Sequence, residues 1–123
     1  MTINVKALRD TMNIVETAAK LKGVPDGWEQ STWRCKTGKC FAGHGVSLAD
    51  GLSWFNPNPD SSDPYVRHTE LGVSYCDSAM EYFYGLTKSE AFSLFHLTNT
   101  LDDLRQMIAA IEVIAEMDPE AIE

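Results

Sequence analysis

Apolar residues recur at intervals of three and four positions near both ends of this chain. The first stripe comprises Val5, Leu8, Met12, Val15 and Ala19, and the last comprises Leu101, Leu104, Ile108, Ile111 and Ala115. This spacing puts each set on one face of an α-helix. Gly23 follows the first stripe and suits the left-handed conformation that commonly ends a helix. The sequence therefore predicts an amphipathic helix at each end of the fold.

Three shorter helices are predicted between them. One covers residues 40–51 and ends at Gly51, a second carries its apolar face from Cys76 to Phe83, and a third runs from about 88 to 97. Thr87 and Glu90 have the spacing of a capping box for the third helix. Thr100 is an N-cap for the final helix.

The fold class predicted from these elements is mainly α. Five helices joined by connections of unequal length indicate an irregular bundle, with room for a short β ribbon near residues 26–39. Residues 52–70 contain three prolines and have neither a helical nor a strand period, so they are expected to form one long loop. At 123 residues the chain fits a single domain, 1–123, with an acidic tail at 118–123 that is expected to fray.

Composition and cysteine usage point to a cytoplasmic globular protein. Hydrophobic residues make up 44% of the chain and charged residues 23%, as expected for a packed domain. An odd number of cysteines, three, argues against a secreted disulfide scaffold. No apolar run approaches the ~18 residues of a membrane span, and charges interrupt the first turns where a signal peptide is apolar. We therefore expect no membrane partner.

The charge is distributed unevenly along the chain. Residues 1–49 hold seven Lys/Arg and four Asp/Glu, a net charge of +3, whereas residues 50–123 hold three and fourteen, a net charge of −11. Phosphate repels such a surface, so the sequence predicts no direct binding of nucleic acid. An acidic surface can instead mimic nucleic acid and occupy the basic groove of a DNA-binding protein, or it can simply be a solvated helix face.

The most distinctive segment spans residues 28–51, WEQSTWRCKTGKCFAGHGVSLADG. Its pattern residues are Trp28, Gln30, Trp33, Cys35, Thr37, Cys40, Ala42, Gly43, His44, Leu48 and Gly51. The pattern resembles that of a family of small, uncharacterised proteins from actinobacteria and their bacteriophages, W-[DE]-Q-x-x-W followed by C-x-T-x-x-C-x-A-G-[HW]-x-x-x-L and a glycine shortly after that leucine. A weaker resemblance continues through residues 84–95, where Tyr84 replaces the usual leucine. The resemblance favours a phage-encoded or phage-derived protein, and it implies no reaction.

A metal site is the first chemical hypothesis for this motif. Cys35, Cys40 and His44 could supply three ligands, since Cys40 and His44 would share a helix face. The fourth ligand would be Cys76, His68 or His96. Structural zinc sites, however, usually separate paired cysteines by two residues, and only one pair exists here. The alternative is that both thiols pack beside Trp33 while Thr37 bonds within its turn, and this alternative predicts no metal and no cofactor.

A cysteine-dependent enzyme is the second chemical hypothesis. Cys40 would start the short helix, where the helix dipole lowers a thiol pKa, and His44 would be its base. No third residue can be assigned to orient that base, and nearby Lys36 and Lys39 could lower the pKa without catalysis. The sequence therefore predicts a protein that is not an enzyme.

Small residues within the motif predict close packing. Gly43 and Gly45 each cost about 1 kcal/mol relative to alanine inside a helix, so another interaction must offset that cost. Glycine and alanine allow another backbone or a large ring to lie directly against a helix. Trp28 and Trp33 are the expected neighbours of this helix.

Five apolar side chains outside the motif are candidates for binding a partner. Trp54, Phe55 and Tyr65 lie in the predicted loop, and aromatic anchors of this kind dominate binding energy at protein interfaces. Alternatively, Trp54 and Phe55 fold back to cap the core. Ala109 and Val113 interrupt the charged face of the last helix, which is typical of a contact with a partner or with a second copy. The sequence thus predicts a non-enzymatic interaction protein that binds an unidentified host protein or forms a homo-oligomer.

Overall fold

The computed structural model describes residues 3–21, 23–24, 26–35, 38–58 and 61–117, with Arg34 and Cys35 described by their backbone alone. Within these residues the helices are α1 (Val5–Ala18), α2 (Phe41–Gly45), α3 (Cys76–Tyr84), α4 (Lys88–Leu94) and α5 (Leu101–Met117), and a 3-10 turn, Val46–Leu48, follows α2. The strands are β1 (Arg34–Cys35), β2 (Gly38–Lys39), β3 (Leu52–Trp54), β4 (Tyr65–His68) and β5 (Gly72–Tyr75). The acidic tail at 118–123 lies outside the described residues.

The expectation of a mainly α fold with one long loop at 52–70 was wrong. That segment contributes β3 and β4, which join β5 in an antiparallel sheet of order β3-β4-β5, so the fold mixes α and β structure. Each of these strands has only three or four residues, too few to show a period of two between prolines. β1 and β2 form a separate two-stranded ribbon, with Cys35 opposite Gly38.

The two long helices pack side by side. Leu8 and Val15 of α1 are buried, as are Leu104 and Ile108 of α5, so the two predicted apolar stripes are confirmed. Two ion pairs join the helices at the surface, a bidentate one between Arg9 and Glu112 and another between Arg105 and Glu16. Burial of these two stripes is the main favourable contribution to the packing of α1 against α5, because burial of apolar area is the dominant favourable term in folding.

Tyr84, at the end of α3, lies in the centre of the core and is fully buried. Its hydroxyl donates to the Oγ1 atom of Thr11, 2.7 Å away, and that hydroxyl donates in turn to the carbonyl of Ala7 at 2.8 Å. Burial raises the pKa of Tyr84 far above its ordinary value of 10.0. The polar atom of this buried residue is thus satisfied by a partner on α1.

Signals at three helix termini agree with the structure, whereas α1 ends at Ala18, well before Gly23, and α2 ends at Gly45, before the predicted end at Gly51. Gly85 ends α3 in the left-handed conformation, with a φ of 69°. The capping box of Thr87 and Glu90 at the start of α4 is confirmed. Thr100 accepts from the backbone N–H of Asp103, whose carboxylate accepts from the N–H of Thr100, so α5 has a similar cap.

The three-stranded sheet covers one side of the core with its inner face. Val66 on the central strand is fully buried, and Leu52 and Trp54 on β3 are half-buried against the core. Neighbouring residues along β4 point to opposite faces, so Tyr65 and Arg67 lie on the outer face. The sheet thus leaves its outer face to solvent.

Candidate interaction surfaces

Gln30 joins three parts of the structure through its buried side-chain amide. Its Oε1 atom accepts from the indole N–H of Trp28 at 3.1 Å and from the backbone N–H of Phe41 at 3.0 Å. Its Nε2 atom donates to the carbonyls of Leu94 at 3.4 Å and His96 at 3.1 Å. The residue therefore fixes segment 28–33 against the start of α2 and the end of α4. Sequence reasoning placed Gln30 in the motif but assigned it no role.

The glycines of α2 make the close contacts that the sequence predicted. A Cβ atom on Gly43 would lie closer than 3.0 Å to the backbone carbonyl oxygen of Trp33, a separation that real Cβ atoms do not reach. A Cβ atom on Gly45 would collide with the hydroxyl of Tyr84 and would lie 2.6 Å from the terminal methyl of Met80. α2 therefore packs against the backbone of the motif on one side and against α3 on the other.

Cys40 caps α2 and is buried. Its Sγ atom accepts from the backbone N–H of Gly43 at 3.3 Å, and burial raises the pKa of the thiol to about 12. Burial here outweighs the helix N-terminus, whose hydrogen bonds lower the pKa, because a thiolate inside the core would lose its hydration. The lowered pKa that a cysteine nucleophile needs is therefore not found at Cys40.

His44 is also part of the packing. Its Nε2 atom donates to the carbonyl of Gly27 at 2.7 Å, and burial lowers the pKa of the imidazole below its ordinary value of 6.5. This bond anchors α2 to the start of the motif and occupies one of the two ring nitrogens. Thr37 and the side chain of Cys35 lie outside the described residues.

The other candidate metal ligands lie in separate surroundings. Cys76 is buried at the start of α3, whereas the Nδ1 atom of His68 accepts from the backbone N–H groups of Glu70 and Leu71. The Nδ1 atom of His96 lies 2.8 Å from the hydroxyl of Thr98. Among the side chains that the structure describes, no three His, Cys, Asp or Glu residues come together as a metal-binding group.

The outer face of the sheet carries the first candidate binding surface. We call it the aromatic face, and it comprises Phe55, Tyr65, Arg67, Val73 and Tyr75. Tyr65 and Tyr75 are directly opposite each other, with ring centroids 4.7 Å apart and hydroxyl oxygens 3.1 Å apart. The guanidinium carbon of Arg67 lies 4.9 Å from the centroid of the Phe55 ring. Phe55 is 44% exposed and Tyr75 53%.

The two aromatic residues at the end of β3 have different surroundings. Trp54 is half-buried and packs against the core from the inner face, whereas Phe55 lies on the outer face beside Arg67. The sequence left open the alternative that Trp54 and Phe55 both fold back to cap the core. In the structure only Trp54 does so. Val73 and Tyr75 were not predicted as candidates from the sequence, because they lie after the proline-containing segment, in a strand of only four residues.

A groove between α3 and α4 forms the second candidate surface. This α3–α4 groove has a volume of about 630 Å³ and is closed on one side by residues 30–33. Asp77, Ser78 and Glu81 line its α3 wall, and Ala91, Phe92 and Phe95 line its α4 wall. The rings of Trp33 and Phe95 meet edge to face, with centroids 6.4 Å apart. Sequence reasoning missed this groove because its walls come from three separate segments.

The exposed side of α5 is the third candidate surface. Ala109 and Val113 are exposed there, as the interrupted charge pattern predicted. Ile114 and Met117 extend the apolar surface toward the end of the helix. The buried residues of α5, Leu104, Ile108, Ile111 and Ala115, lie on its opposite face.

Comparison with known proteins identifies no relative: no protein-family model, no curated protein and no solved structure matches this chain. Within the described residues, no helix has both the length and the apolar character to cross a membrane.

Proposed function

We propose that this protein is a non-enzymatic interaction protein that binds another protein through the aromatic face. The observation that carries the proposal is the stack of Tyr65 on Tyr75 beside the contact of Arg67 with Phe55. Tyrosine and arginine are over-represented among the residues that dominate binding energy at interfaces. These side chains are ordered by neighbouring strands before any partner arrives, which lowers the entropy lost on binding.

The chemistry of the motif supports a role without catalysis. Cys40 and His44 are bonded to backbone groups within the packed motif, and burial disfavours the charged form of each. Gln30 uses both ends of its amide within the fold. These residues stabilise the fold, and the exposed aromatic side chains remain available for recognition. The resemblance of residues 28–51 to phage proteins suggests a host protein in the bacterial cytoplasm as the partner.

Self-association is a second candidate function, favoured by the exposed apolar side of α5. Val113 is 53% exposed and Met117 79%, and the small side chain of Ala109 beside them would allow a second helix to approach closely. A homodimer built on this helix should dissociate when Val113→Lys places two like charges at its centre. Sedimentation equilibrium of the wild type and the variant tests this, and a monomeric wild type would contradict it.

The test of the main proposal is affinity capture from an actinobacterial lysate with three forms of the tagged protein. They are the wild type, the double variant Phe55→Ser with Tyr75→Ser, and the control Tyr82→Ser, which changes an exposed tyrosine of α3 outside the aromatic face. We expect the wild type and the control to capture the same host protein and the double variant to lose it. The captured protein, once purified, should bind the wild type directly.

Thermal unfolding of the same three proteins separates recognition from stability. The double variant should melt close to the wild type, since both of its side chains lie at the surface. Truncation of a buried aromatic residue would instead cost about 3 kcal/mol or more. Equal capture by all three proteins, or a large loss of stability in the double variant, would contradict the proposal.

A further inference from the structure

The α3–α4 groove has two chemically different walls. Its aromatic wall consists of Trp33 from the motif, Phe92 from α4 and the largely buried Phe95, which follows α4. Its opposite wall carries the carboxylates of Asp77 and Glu81, which lie one helical turn apart on α3. An occupant that fits both walls must be apolar on one side and positively charged on the other.

Two apolar side chains at the groove are largely exposed and lie outside the hydrophobic core. α4 buries Ala91 and Leu94 against the core, and Phe92 projects away from that face with 73% of its surface exposed. Leu97, just after α4, is 61% exposed. Neither residue belongs to the hydrophobic core, and both line the same groove. Exposed apolar side chains that gather at a concave surface mark a binding site for a partner.

The negative charge of the groove is accessible to a partner. Asp77 is exposed, whereas the side chain of Glu81 is 24% exposed. Lys88 is the one lysine or arginine among the described lining residues, and its Nζ atom lies 3.9 Å from Glu81 in an ion pair whose lysine side chain is 93% exposed. Water screens such a pair strongly, so an incoming cation can compete with it. The net charge of −8 over the whole chain would also accelerate the approach of a basic segment.

The backbone around the groove favours an occupant that is itself helical. Extended peptides bind by pairing their backbone with an open strand edge, whereas this groove is walled by two helices. The carbonyls of Leu94 and His96 at its end already accept from Gln30. Recognition must therefore use side chains, and a helix presents apolar side chains in a row at intervals of three and four.

We propose that the α3–α4 groove binds an amphipathic helical segment of a partner protein, with its apolar stripe against Phe92 and Leu97 and lysines or arginines beside Asp77 and Glu81. The groove is separate from the aromatic face, so this site is a second contact and does not depend on the first. With these two contact sites, the protein can hold one partner at two points or join two partners.

The test uses two synthetic peptides of about four helical turns, long enough to form helix against a groove. Both carry leucine at the helical apolar positions, and the other positions are lysine in one peptide and glutamate in the other. Isothermal titration calorimetry at low salt measures the binding of each to the wild type. We expect the leucine–lysine peptide to bind and the leucine–glutamate peptide to fail.

Three variants locate the contact. Phe92→Ser should weaken binding of the leucine–lysine peptide by about tenfold or more, as removal of an aromatic anchor does. Glu81→Gln should weaken it several-fold at low salt and little at high salt, because salt screens exposed charges. Phe55→Ser, on the aromatic face, should leave it unchanged.

Failure of the leucine–lysine peptide to bind, equal binding of both peptides, or equal binding to the wild type and Phe92→Ser would each overturn the groove proposal. None of these results would affect capture through the aromatic face, which is measured with Phe55→Ser and Tyr75→Ser. The two proposals can therefore fail separately.

Discussion

Replacement of Gly43 by alanine is the sharpest test of how the motif packs. Helix propensity alone predicts that Gly43→Ala stabilises α2 by about 1 kcal/mol. The structure predicts the opposite, since the new methyl group would collide with the carbonyl oxygen of Trp33 and would lie 3.1 Å from the Cβ atom of Lys39. A backbone carbonyl cannot rotate away as a side chain can.

The expected magnitude follows from these two opposing effects. Overpacking costs about 1–3 kcal/mol, and the upper end applies here because backbone must move, so the net loss is about 2 kcal/mol. For a chain of this size that loss lowers Tm by roughly 6–12 °C. Gly43→Leu should cost more, because its larger side chain meets the same carbonyl.

Urea denaturation of Gly43→Ala, analysed by linear extrapolation, measures the change. Ser89→Ala on α4 is the control, an exposed helix position where alanine brings a smaller gain in propensity, and it should shift the free energy of unfolding by no more than about 0.5 kcal/mol. If Gly43→Ala were as stable as the wild type or more stable, the close approach between α2 and Trp33 would be refuted.

Four further predictions concern buried polar groups and a helix cap. Since burial raises the pKa of Cys40 to about 12, whereas an unfolded thiol ionises near 9.0, the free energy of unfolding should fall as the pH rises from 9 toward 12, and Cys40→Ala should reduce that slope in urea titrations. Burial lowers the pKa of His44, so stability should also fall as the pH drops below 6.5, where the unfolded imidazole takes up a proton; a pH-independent Tm between 7 and 5 would contradict this. Tyr84→Phe should cost about 1–2 kcal/mol in urea unfolding by removing a buried hydrogen bond to a threonine of α1, and no loss would show that this bond contributes nothing. Thr87→Ala should cost about 1 kcal/mol by removing the capping box, measured against Ser89→Ala, and an equal response of both variants would argue against the cap.

Elements whose signals are local along the chain could be predicted from the sequence. The stripe from Leu8 to Val15 and the capping pair Thr87 and Glu90 lie within a few turns of helix, so neighbouring residues alone set their geometry. The exposure of Val113 is predicted for the same reason, because a helix period assigns each residue to a face. The small residues around Gly43 likewise predicted a close neighbour, although they did not say which backbone group it would be.

The sheet and both proposed surfaces were decided by the tertiary structure. β3 and β4 pair across about ten intervening residues, and strands of three or four residues are too short to show a pattern that predicts such a pairing. Their pairing sends Trp54 to the core and Phe55 to solvent, a distinction that depends on which face of the sheet meets the helices. The α3–α4 groove is also formed by segments that are distant in the sequence. Trp33 and Phe92 both line it, and Gln30 holds their segments together by hydrogen bonds to residues more than sixty positions away. Local sequence determines where the helices lie, but surfaces for binding arise where distant segments meet, and only packing of the whole chain brings those segments together.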